Sequence, residues 1–122
     1  TADGELRIKP NNTNDSTLAG VFGYSLTPTT YARRGTADAF SNGYNLARAN
    51  ANNAFYFTIG NYANTTYYKS LQFYGYGVDT TSNSSYINFA GGYALNTAVS
   101  SLVFSNSGGN FSTGTVLLYG VK

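Results

Sequence analysis

The sequence contains no cysteine and no histidine. The first absence excludes a disulfide framework and any thiolate chemistry. The second removes the commonest general base and the commonest neutral metal ligand. Charge is scarce as well: Asp, Glu, Lys and Arg make up 10% of the chain and the net charge is +2. The basic residues are dispersed, whereas a nucleic-acid footprint needs them clustered, so no nucleic-acid partner is expected. No apolar run approaches the ~20 residues of a membrane-spanning helix. No basic-plus-apolar leader is visible either, and membrane insertion is not expected.

What fills the space instead is Gly, Asn, Ser, Thr and Tyr. Twelve tyrosines outnumber eight phenylalanines, and tryptophan is missing. Tyr, Phe and Thr favour strands, while Asn and Gly favour turns. The 122 residues suit a single domain, large enough to bury a core without disulfides or metal. The chain opens on Thr1, and we expect it to be a piece of a longer protein.

Polar–apolar alternation places strands along most of the chain. Glu5–Lys9 alternates and is stopped by Pro10; residues 11–17 form a polar loop; residues 19–27 form a second strand, ended by Pro28. Within 37–48, Asn42-Gly43 stands between two short strand-like runs, and both residues tolerate the positive φ of a hairpin turn. A short helix over 45–54 is the competing reading, weakened by its asparagines. Residues 53–60 alternate with Phe55, Phe57 and Ile59 on one face. Residues 67–78 form a long strand with Leu71 and Phe73 inward, and Gly75 and Gly77 suggest a bulge or bend. Residues 86–91 put Ile87 and Phe89 inward, 92–97 turn, 98–105 form a strand, and 106–110 make a glycine turn. Eight or nine strands at this spacing predict an all-β fold, an antiparallel β-sandwich of jelly-roll type.

The segment 113–121 breaks the rule of alternation. Val116, Leu117, Leu118, Tyr119 and Val121 would fill both faces of one strand. Such a strand belongs centrally in a sheet with both faces covered, and a second copy of the chain is the simplest cover.

Residues 98–122 resemble the ending of many phage virion proteins. There a strand of the form I-S-S-I-x-I precedes a loop, then G-N-F-x-x-G-[ST], then L-Y-G-[IV]. The matching residues here are Val99-Ser100-Ser101-Leu102, Gly109-Asn110-Phe111, Gly114-Thr115 and Leu118-Tyr119-Gly120-Val121. Upstream, residues 57–70 are similar to the same group's I-x-N-Y-x-x-T-x-Y-K, so the likeness covers roughly residues 53–122. It implies a structural domain of a virion appendage, C-terminal in a tail fibre or head fibre, located on the virion beside other virion proteins. Domains of that group are typically β-sandwiches and often homotrimers. The shared residues look architectural, and the likeness assigns no binding site.

Enzymatic chemistry is not expected. Glycan hydrolysis would want two carboxylates flanking the bond, and the acids are only Asp3, Glu5, Asp15, Asp38 and Asp79. Each sits in a polar or turn-like setting suited to a solvated acid. No G-x-S-x-G, phosphate-binding loop or metal-ligand cluster occurs, and no cofactor is expected. Non-covalent sugar binding suits the composition better. Asparagine donates and accepts, and tyrosine offers a flat apolar face with a hydroxyl, although both residue types also serve turns and strands.

The expected ligand is therefore a host cell-surface glycan. Counting strand directions places loop 10–19, the Asn42-Gly43 turn, loop 61–66 and loop 92–97 at one end. The exposed candidates there are Asn12, Asn42, Tyr44, Asn61, Tyr62, Asn64 and Tyr93. Arg33-Arg34, read as a loop, could grip phosphate, but the same count puts the pair towards the other end.

Overall fold

A computed structural model describes residues 4–12, 18–26, 29–37, 40–41, 53–78, 84–94, 96–111 and 113–120. Among them there is no helix. The strands are β1 (Leu6–Pro10), β2 (Leu18–Leu26), β3 (Thr29–Ala37), β4 (Phe40–Ser41), β5 (Ala54–Ile59), β6 (Lys69–Val78), β7 (Ser84–Tyr93) and β8 (Leu102–Asn106). They form two antiparallel sheets, one ordered β4-β1-β8 and the other β3-β2-β7-β6-β5. The fold is all-β and antiparallel, and the layering is that expected of a β-sandwich.

The core lies between the sheets. Ile8 of β1, Leu71 and Phe73 of β6, Tyr93 of β7 and Val99 form its buried centre. Leu6, Leu102 and Phe104 close it from the small sheet, and Phe55, Phe57 and Ile59 from β5. The alternation read from the sequence accounts for this directly. In β5, Phe55, Phe57 and Ile59 are half-buried while Ala54, Tyr56 and Thr58 are exposed; in β6 every odd-numbered residue from Lys69 to Gly77 is buried. Fully burying one such apolar side chain contributes about 1.5–3 kcal/mol. Phe73 contacts two rings of β5: it stacks on Phe55 at 5.6 Å and meets Phe57 edge-on at 6.3 Å.

Several expectations need correction. Gly75 and Gly77 make no bulge, because the β6–β7 register runs unbroken from Lys69↔Tyr93 to Val78↔Ser84. Gly75 is required for space instead. A Cβ there would run into the Ala54 carbonyl and lie 2.8 Å from the Phe55 Cα and 2.7 Å from the Phe55 ring. Arg33 and Arg34 are not in a loop but in the middle of β3, opposite Phe22 and Val21 of β2. Nine continuous pairs hold β3 to β2, and that ladder outweighs the weak strand preference of Arg-Arg-Gly.

The expected strand 98–105 begins only at Leu102, and the expected turn 92–97 loses Gly92 and Tyr93 to β7. The segment 113–120 forms no strand. Its residues are exposed, Leu118 to 83%. A strand needs a neighbouring edge to satisfy its backbone, and no described part of the chain pairs with this segment. The Asn42-Gly43 turn and most of the competing helix lie outside the described residues.

Strand directions set the two ends of the domain. β1, β5 and β7 run towards one end; β6 and β8 run back from it. The chain between β5 and β6 and the chain between β7 and β8 therefore meet at the same end as Asn11 and Asn12. At the opposite end, Glu5 and Ser107 exchange hydrogen bonds: the Glu5 N–H donates to Ser107 Oγ at 2.9 Å, and the Ser107 N–H to the Glu5 carbonyl at 3.0 Å.

Candidate functional site: the loop end and the outer face of the large sheet

Asn11 assembles the loop end. Pro10 terminates β1, and Asn11 and Asn12 follow with φ of 53° and 50°, a left-handed conformation that asparagine tolerates better than most residues. The Asn11 side chain then reaches residues 98–101. Its Nδ2 donates to the Ala98 carbonyl at 2.8 Å, and its Oδ1 accepts from the N–H of Ser100 at 2.8 Å and of Ser101 at 3.3 Å, and from Ser100 Oγ. The Asn11 N–H donates to the Ser101 carbonyl at 2.9 Å. These contacts occupy backbone groups that a strand over 98–101 would need for a ladder, which is why β8 starts at Leu102.

The loop 60–68 joins the same end through the Val99 N–H, which donates to the Tyr62 carbonyl at 2.7 Å. Its own shape comes from two asparagines. Asn61 has φ of 56°, and its carbonyl accepts the Asn64 N–H at 3.0 Å. Asn64 Oδ1 accepts from the N–H of both Thr66 and Tyr67 at 2.7 Å, an Asx-type turn.

The expected site residues therefore divide. Asn12, Asn61 and Tyr62 are exposed at the shared loop end, Tyr62 to 56%. Asn64 is there too, but half-buried, and its carbonyl oxygen is committed to building the loop. Tyr93 must be corrected. It is the last residue of β7 and part of the core, 1% exposed, because it continues the strand in register with Lys69 and Leu18. Asn42 and Tyr44 lie outside the described residues. Of the acids weighed for catalysis, Glu5 is described, and it accepts two hydrogen bonds from Arg7 at 3.1 and 3.2 Å. Asp3, Asp15, Asp38 and Asp79 lie outside the described residues.

The Tyr93 hydroxyl is buried with no hydrogen-bond partner among the described residues. An unpaired buried hydroxyl costs about 1–3 kcal/mol. Tyr93→Phe is thus expected to raise stability by roughly 1 kcal/mol, read as a higher urea midpoint at unchanged slope. A drop of that size would mean that the hydroxyl is bonded after all.

Two features escaped the sequence reading. Lys69 is 1% exposed; its Nζ donates to the Tyr67 carbonyl at 3.3 Å, so a buried lysine is tied to the loop end. The signal was present, since Lys69 is in phase with Leu71 and Phe73. The other is the outer face of the large sheet. Tyr56 of β5 and Tyr74 of β6 are register partners and their rings stack at 5.0 Å, 10° from parallel. Tyr76 of β6 pairs with Tyr86 of β7. All four are exposed. The alternation that put Phe55 and Phe73 inside put these tyrosines outside.

Comparison with family models, with curated proteins and with solved structures returns no significant match. The chemistry of these two surfaces is the ground on which a function can be argued.

Proposed function

We propose that this domain is the receptor-binding head of a trimeric phage fibre, a virion appendage that recognises a host surface polysaccharide without covalent chemistry. The observation that carries this reading is the loop end. Asn11 and the Tyr62 carbonyl bind three separate segments together there, and the exposed groups they present are amides and a tyrosine. Asn12, Asn61 and Tyr62 are the proposed first contacts. Amides pair with sugar hydroxyls in both directions and a tyrosine ring covers the apolar face of a sugar. The resemblance of residues 53–122 to phage virion proteins supplies the location.

Trimerisation belongs to the same proposal. Val116, Leu117, Leu118 and Tyr119 stand exposed in the single chain, and covering them with neighbouring copies removes apolar surface from water. Three copies also convert weak sugar contacts into useful avidity. The finer architecture we propose is a jelly-roll-like sandwich of eight or nine strands. The nested pairs β1–β8 and β2–β7 support it, and residues 113–121 would supply the ninth strand once paired with a second copy.

The second reading is a capsid decoration or fibre-assembly module with no ligand, and the exposed Val116–Tyr119 segment favours it equally. A screen of glycans and cell-wall polymers with the purified domain, its mass in solution recorded alongside, separates the two. Saturable binding by a species of three chain masses, weakened by Tyr62→Ala, is the expected result. A well-folded trimer that binds no polymer and no host cell would establish the structural reading. A monomer would overturn the trimer proposal and the role given to residues 113–121.

A further inference from the structure

We propose that the outer face of β5, β6 and β7 is a second binding surface, and that its ligand is an extended, uncharged polysaccharide. The proposal rests on the polysaccharide reading above and extends it to a place and a ligand class that the loop end does not define.

The register lays out the surface. Tyr56, Tyr74 and Asn88 form one row across three strands; Tyr76 and Tyr86 form the next. Strands lie about 4.8 Å apart and residues two positions along one strand about 7 Å apart, so the patch measures on the order of 10 by 7 Å across its Cα positions. That is room for two adjoining sugar rings of a chain. Tyr56 and Tyr74 stack on one another, and both side chains stay exposed to solvent. Sugars match this pattern, with apolar C–H faces bounded by hydroxyls that donate and accept.

The charge on the face decides the ligand class. The exposed residues described in β5, β6 and β7 include no acid and no base. A phosphate- or carboxylate-bearing polymer would be held by Arg or Lys, and a single-stranded nucleic acid by a basic groove. Neither is served here. An exposed tyrosine patch also suits a protein interface, where aromatic residues are enriched, and the mass of Tyr74→Ala in solution tells the two apart. Aromatic rings with amides and hydroxyls, and no charged residue among the exposed positions of β5, β6 and β7, favour an uncharged glycan.

The test uses the full chain and measured affinities for a β-glucan, a galactan and a rhamnose polymer, with poly(glycerol phosphate) as the anionic counterpart. Tyr74→Ala and Tyr76→Ala are each expected to weaken binding to at least one neutral polymer roughly tenfold, with the double variant abolishing it. Affinity should not change between low and high salt, since no ion pairs form. Tyr74→Phe keeps the stack and should keep most of the affinity, which guards against a folding artefact.

Unchanged neutral-polymer binding by Tyr74→Ala and Tyr76→Ala, with loss in Tyr62→Ala, would overturn this surface and leave the loop-end function standing. Wild-type binding to poly(glycerol phosphate) alone would overturn the ligand class. Loss of trimer mass in Tyr74→Ala would show that a second copy covers the face, and would overturn the proposal. No binding by the wild-type chain would remove the receptor reading and this surface together.

Discussion

Replacing Phe73 by alanine is expected to destabilise the domain by about 3–5 kcal/mol, more than any substitution on the outer face of the same sheet. Phe73 is 2% exposed and contacts the Phe55 and Phe57 rings, at 5.6 and 6.3 Å. Truncation removes the ring's own burial and both ring contacts, and it leaves a cavity that neighbours in a rigid ladder cannot fill. Domains of this size are stable by about 5–15 kcal/mol in total, so the variant should lose a large part of its margin. Urea titration of Phe73→Ala against Tyr74→Ala makes a sharp comparison. The two residues are adjacent, yet Tyr74 faces solvent, and its loss should cost about 0.5–1.5 kcal/mol, mainly from the stack on Tyr56. Equal losses in the two variants would show that the inward–outward phase of β6 is wrong.

Asn11→Ala is the second large effect, expected at about 2–3 kcal/mol. Two separable causes contribute. The side chain makes four hydrogen bonds to residues 98–101, and the backbone has φ of 53°, which alanine adopts at a cost of about 1 kcal/mol or more. Asn11→Gly separates them. It relieves the backbone term and still loses the hydrogen bonds, so it should be the milder variant by roughly 1 kcal/mol. Proteolysis would report the local consequence, because residues 98–101 lose the Asn11 side-chain contacts while the sheets persist. The expected new cleavage lies in 94–101. Asn11→Ala with wild-type stability and no new cleavage would mean that the loop end is held by something other than this side chain.

Period-two alternation was enough to locate β5 and β6 and to say which of their residues face inward. One face of each strand is buried, and a one-residue slip would reverse every side chain. The turn preferences of Asn and Gly placed the loop at 11–12 and the one at 61–64. Tyr93 and Arg33-Arg34 were misread because a strand's length depends on its neighbours: β7 continues to Tyr93 opposite Lys69, and β3 persists through two arginines opposite β2. Local preference is a weak guide wherever a ladder is available.

Residues 98–101 and 113–120 show the converse. Both read as strand from the sequence and neither is a strand. In the first, Asn11 takes the backbone groups; in the second, no described edge offers any.

The sequence alone therefore determined an all-β chain with the inward phases of β5 and β6, the turns made by asparagine and glycine, and a composition poor in charge. Those properties are local, set by side-chain size, polarity and backbone preference at each position. Only the tertiary structure decided that Asn11 joins distant loops, that Tyr93 lies in the core, and that Tyr56, Tyr74, Tyr76 and Tyr86 share one face. Each of those facts depends on which segments become neighbours, and in what register. Register follows from which strands become neighbours, and the residues of one strand do not encode its neighbours.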